Sequence, residues 1–207
     1  MEHVVTKNEL VERIVSLEWE AFDRVENEGG RADCQSNWRI FEIMRKSQYL
    51  EWTEEMLISF IQDFVEANAR GWNLITEKYG RMEKTTAPAE YEKIKESLPA
   101  HTQEQETIIE QIVAIQVGMM EDMAEKYPKI AGNARSIHTY EDSEWNTSYE
   151  TYLRGELGTY SDRTLLLYGR FIAEIAAQGD NLAYRIMSNT AKFYGYNSVE
   201  ECEEKMR

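Results

Sequence analysis

Glu18 conflicts in type with its position. Leu10, Val11, Ile14, Val15, Leu17, Ala21, Phe22 and Val25 recur at three- and four-residue spacing, and Glu18 falls on the same stripe. A carboxylate turned inward must be paired or must raise its pKa, and either makes it a candidate general acid or base. The alternative is a place at the stripe's edge, framed by Leu17 and Ala21, from which the side chain reaches water. Next comes Glu28-Gly29-Gly30-Arg31-Ala32-Asp33-Cys34-Gln35, where paired glycines allow unusual backbone angles just before a guanidinium, a thiol and an amide. Arg31 is a candidate clamp for a carboxylate or phosphate, Cys34 a candidate nucleophile, and Gln35 part of the same wall. The plainer alternative is a Gly-Gly helix stop followed by a small buried cysteine. The glycine spacing matches neither GxGxxG nor a phosphate loop.

Farther along, Arg45 and Gln48 continue the face defined by Phe41 and Met44, so two more polar groups point inward or bond helix ends. Glu77 stands four residues before Arg81, the spacing of an ordinary ion pair. Arg135-Ser136-Ile137-His138-Thr139-Tyr140-Glu141-Asp142 sets a histidine beside carboxylates and an arginine. His138 there is a candidate base or metal ligand, because its pKa lies near neutrality. In Thr147 to Leu157 hydroxyls and aromatics alternate with Arg154 and Glu156, which suits a small-molecule wall as well as ordinary packing. Neither the Glu-x-x-His pairs of a di-iron bundle nor HExxH occurs. A mononuclear metal site would have to be assembled from His138, Glu141 and Glu18 or Cys34, and no cofactor is specified.

Helices must position these groups. Pro88, Pro99 and Pro128 all fall between periodic segments, and the stretches between them favour helix without period-two alternation. The fold class is all-α, an irregular multi-helix bundle of about seven to nine helices in a single domain over 1–207. Thr6-Lys7-Asn8-Glu9 and Thr102-Gln103-Glu104-Gln105 are capping boxes, and the first helix is expected to run until Gly29-Gly30. The helix capped by Thr53 is expected to continue, kinked near Gly71, to Met82. Pro128 to Asn146 has no period and reads as one long loop of the kind that often carries function.

Composition narrows the partners. Lys+Arg 23 against Asp+Glu 38 leaves a net charge of −15, a field that repels nucleic acid and anionic membrane surfaces. The longest uncharged apolar-rich stretch, Gln111 to Met120, is too short to cross a bilayer, and no basic-then-apolar leader opens the chain. Only Cys34 and Cys202 occur, which fits neither a disulfide scaffold nor a CxxC site. A cytoplasmic protein with reduced thiols is expected.

Five segments carry a resemblance: Leu17-Glu18-Trp19-Glu20-x-Phe22, Glu28-Gly29-Gly30-Arg31-Ala32-x-Cys34-Gln35, Met44-Arg45-x-Ser47-Gln48, Asn73-Leu74-x-Thr76-Glu77-Lys78-Tyr79 and Thr151-Tyr152-Leu153-Arg154-Gly155-Glu156-Leu157. Together they resemble the bacterial domain of unknown function 4125 family over nearly the whole chain. The resemblance implies a stand-alone bacterial domain and no established activity. It also implies that these polar residues, with His138 and Glu141, share one site. The clustering of unusual polar residues at helix ends and in the overlong loop points to an enzyme or binding protein for a small anionic metabolite. Its pocket lies between helix one, the Gly29-Gly30 loop and the His138 loop. Glu18 and His138 form the acid/base pair, with Cys34 beside them. Arg31, Arg45 and Arg154 orient the anion. The alternative is a noncatalytic acidic domain that meets a protein partner or a second copy of itself.

Overall fold

A computed structural model describes residues 5–26, 30 and 33–206, with the side chain of Cys34 outside the described set. Arg31, Glu28 and Gly29 also lie outside the described residues. The described chain is all-helical, with eleven α-helices and three short 3-10 turns where seven to nine helices were expected. The excess has local causes. The helix α1 (Lys7–Asp23) starts at the Thr6 capping box but stops at Asp23, short of the glycine pair. The next, α2 (Trp38–Tyr49), follows a 3-10 turn and an Asn37 cap. The single kinked helix expected after Thr53 is two helices, α3 (Glu54–Ala69) and α4 (Leu74–Thr86). Gly71 adopts φ +67° between them, and the Asn73 side chain accepts the Ile75 and Thr76 N–H groups to start α4 afresh.

Pro88 opens α5 (Pro88–Ile94), and the second capping box opens α6 (Gln103–Lys126), the longest helix. The expected long loop is partly ordered. Pro128 has no N–H to lose in a first turn and starts α7 (Pro128–Gly132). Thr139–Glu141 forms one 3-10 turn, and Ser143 and Asn146 exchange two backbone hydrogen bonds of 2.9 and 3.1 Å. Serine or asparagine caps then start α8 (Tyr149–Leu157), α9 (Asp162–Ala177), α10 (Leu182–Phe193) and α11 (Val199–Lys205).

Helix α1 packs on α2, α3 and α4, and α6 packs on α8, α9 and α10; α4 against α8 and α3 against α9 join the two groups. The larger core centres on fully buried Tyr49, Trp52, Phe60, Phe64, Leu165 and Tyr168. Its rings meet edge-on or tilted, with Tyr49 and Trp52 centroids 5.0 Å apart at 89° and Trp52 and Phe60 centroids 5.5 Å apart at 42°. Each such side chain contributes about 1.5–3 kcal/mol by leaving water. A smaller apolar cluster of Met123, Tyr127, Ile130, Ala191, Val199 and Cys202 ties α6 and α7 to α10 and α11. No helix among the described residues is long and apolar enough to cross a membrane.

Candidate functional site

Glu18 faces inward, at 2% exposure, and is paired. Arg45 grips it with two parallel bonds, Nε to Oε2 and Nη2 to Oε1, both 2.6 Å. The same guanidinium donates from Nη1 and Nη2 to Glu156 at 3.2 Å, from Nη1 to Gln48 Oε1 at 3.0 Å and from Nη2 to the Tyr49 hydroxyl at 2.7 Å. Glu156 also accepts from Lys78 Nζ at 2.7 Å, Gln48 Nε2 at 3.0 Å and the Tyr160 hydroxyl at 3.2 Å. Lys78 lies 3.6 Å from the Tyr152 ring centroid, so its remaining side meets a π-face. The two carboxylates and two cations cancel.

The surroundings explain the protonation states. Burial disfavours the charge on Glu156, but Arg45 and Lys78 outweigh it and hold its pKa far below the ordinary 4.5. Burial likewise opposes the charge on Arg45, and Glu156 and then Glu18 outweigh it, raising the pKa above its usual value. Desolvation pushes the Tyr49, Tyr160 and Tyr168 hydroxyls upward, so the ring of tyrosines around the network stays protonated. Glu18, Arg45 and Gln48, singled out in the sequence, therefore meet in space.

The other candidate residues have different partners. Gln35, 1% exposed, donates from Nε2 to the carbonyls of Phe22 at 2.8 Å and Val25 at 3.0 Å, closing the end of α1. Glu77 accepts from Trp72 Nε1 at 2.5 Å and from Arg81 at 2.7 and 2.9 Å. Arg154 bonds Glu110 on α6 at 2.7 Å and Glu150 one turn back at 2.9 Å. His138 has Nε2 3.2 Å from Glu121 on α6 and stacks on Tyr140, centroids 5.0 Å apart at 12°. Glu141 accepts the His138 backbone N–H at 3.0 Å. No contact links His138 to Glu18 among the described residues.

A cavity of about 310 Å³ lies between α6, α7, α10 and the segment before α8. Met120, Met123, Ile130, Ile137 and Met187 give it apolar walls, and Arg135, His138 and Glu141 bring charge. Helix α1 contributes nothing to its lining, so the cavity beside the His138 segment is not the expected one framed by helix one. Arg135 donates from Nη1 to the Thr147 carbonyl at 3.3 Å and its guanidinium carbon lies 4.8 Å from the Tyr152 ring centroid. A second cleft of about 550 Å³ holds Asp63, Arg70, Glu77, Arg81 and His101. Its acids are already engaged, Glu77 as above and Asp63 with the Ser161 N–H at 3.2 Å, and His101 Nε2 is 2.8 Å from the Gly158 carbonyl. Among the described residues, no group of three or more His, Cys, Asp or Glu is placed to hold a metal.

Glu156 and Lys78 stand in the segments whose polar residues the resemblance groups together, but neither was given a role from the sequence, and the methionine wall of the cavity was missed. Glu156 sits between Leu153 and Leu157 on the buried face of α8, and Lys78 between Ile75 and Met82 on that of α4, the same signature that marked Glu18. A family model described as Protein of unknown function (DUF4125) matches residues 8–204. No curated protein and no solved structure matches the chain.

Proposed function

The chain belongs to the DUF4125 family, and from that premise we propose that it binds a small organic anion in the cavity between α6, α7, α10 and the His138 segment. One observation carries the reading: Arg135 and His138, with Glu141, line a cavity to which three methionines and two isoleucines also contribute. An apolar enclosure with a few polar groups is the usual design of a small-molecule site, and about 310 Å³ is within the usual range. The Arg135 guanidinium gives one N–H to the Thr147 carbonyl and lies by the Tyr152 ring, which leaves it further N–H donors for an anion. Glu18, Arg45, Gln48, Lys78 and Glu156 act as scaffold in this reading, because their charged atoms already face one another.

A thermal-melt screen with small carboxylic acids and organic phosphates tests the proposal. A ligand at a hundred times its Kd adds about 2.7 kcal/mol of stability. Saturable stabilisation of the wild type that disappears in Arg135→Ala is expected. Equal stabilisation of both proteins, or none by any acid, rejects the site.

A second reading, a surface for a protein partner, draws on Tyr140 and Trp145, which are 83% and 89% exposed on the same segment. The net charge of −15 would favour a basic partner. Under that reading no small acid stabilises the chain, and a partner does so only while Trp145 is intact.

A further inference from the structure

We infer that the anion taken by this cavity has a flat aromatic body, as an aryl carboxylate does; the inference rests on the cavity assignment above and goes on to its substrate class.

Three of the chain's nine methionines line this one cavity, Met120 and Met123 from α6 and Met187 from α10. Met120 and Met123 are three residues apart and share a helix face, and Met187 approaches from another helix. A thioether is polarizable, adapts its three torsions to a ring, and gains from sulfur–aromatic contact beyond the area it buries. A branched aliphatic wall would bury the same area without that preference. His138 and Tyr140, both in the lining, stack nearly parallel on each other and add aromatic surface beside the methionines.

The polar end fits the same geometry. Arg135 is in the lining, and a planar guanidinium fork pairs with a carboxylate through two parallel bonds. An aliphatic acid of equal size would keep the ion pair and lose the sulfur and stacking contacts. A neutral aromatic amide would keep those contacts and lose the ion pair. The cavity therefore discriminates at both ends of the molecule.

Titration calorimetry with 2-naphthoate, its fully hydrogenated analogue and 2-naphthamide separates these contributions. The full chain should bind 2-naphthoate about tenfold or more tightly than either relative, a difference of about 1.4 kcal/mol. Met120→Leu with Met187→Leu conserves volume, so the protein should fold. It should retain naphthoate binding while losing most of the preference over the hydrogenated acid. If both acids bind equally well and both are lost in Arg135→Ala, the aromatic class is wrong and the cavity assignment stands. If neither acid binds, or binding ignores Arg135→Ala while the variant melts as the wild type does, the cavity assignment falls and the inference with it.

Discussion

Around Arg45, the guanidinium donors meet Glu18, Gln48, Tyr49 and Glu156 at 2.6–3.2 Å. Around Arg135, one N–H reaches Thr147, a tyrosine ring lies below, and the cavity beyond is walled by methionine and isoleucine. Both regions combine an arginine, a carboxylate and aromatic rings. They differ in what remains to be satisfied. In the interior, water is excluded, so each charge needs a protein partner or it would not be ionised there. At the cavity the charges keep access to solvent, and a guest can replace that solvent without first breaking an ion pair in the core. Unusual polar residues on an apolar stripe thus mark a structural keystone as readily as a reactive site.

The comparison is broken most severely at Arg45. Arg45→Met leaves Glu18 and Glu156 buried without their shared cation, and a loss of about 3–5 kcal/mol is expected in chemical denaturation. Arg45→Lys should recover only part of it, because an ammonium cannot make the paired bonds to Glu18. A loss below about 1 kcal/mol for Arg45→Met would show the network to be loosely coupled to the fold.

The next effect follows pH. The folded-state pKa of Glu156 lies below its ordinary value of 4.5, so its contribution is fully present above that value and is lost as pH falls through the folded pKa. Glu156→Gln should therefore be less stable than the wild type at about pH 7, and the gap should narrow as pH drops below 4.5. Denaturation curves at several pH values check this; a gap that stays constant into acid would remove the carboxylate from the account.

Smaller still is the stability cost at the cavity rim. Arg135 is exposed, and Arg135→Ala should change folding stability by no more than about 0.5 kcal/mol while abolishing stabilisation by organic acids. The least effect is expected at the exposed pair Arg163 and Glu55, 3.4 Å apart, where Arg163→Ala should cost no more than about 0.2 kcal/mol by the same denaturation assay.

Much of this arrangement was legible along the chain and part was not. Glu18 takes the inward of its two possible places, and the capping boxes at Thr6 and Thr102 start helices where they were read; Arg45 also turns in, but on a face shared with Ile43, Ser47 and Tyr49, while Met44, expected beside it, is exposed. The meeting point of Glu18 and Arg45 could not be read, because Glu156 comes from a short helix far along the sequence and depends on α8 packing beside α4 and α6. Gln35 looked like part of a binding wall because paired glycines precede it together with a guanidinium and a thiol; α1 ends at Asp23, and the amide bonds the Phe22 and Val25 carbonyls at that end. The segment around His138 was recognised as unusual, but Met187, which forms the far side of its cavity, belongs to α10 and carries no local signal. Spacing shows which face a residue occupies; tertiary approach decides what it meets there.

The central claim is that the cavity beside His138, and not the buried Glu18 network, receives the ligand. Methyl-labelled methionine NMR during a 2-naphthoate titration tests it most directly. The signals of Met120, Met123 and Met187 should move together and saturate, while the Arg45 side-chain Nε–H and the Trp52 indole N–H stay where they are. Movement of the Arg45 and Trp52 signals with those three methyls unchanged would place the guest in the core network and contradict the account.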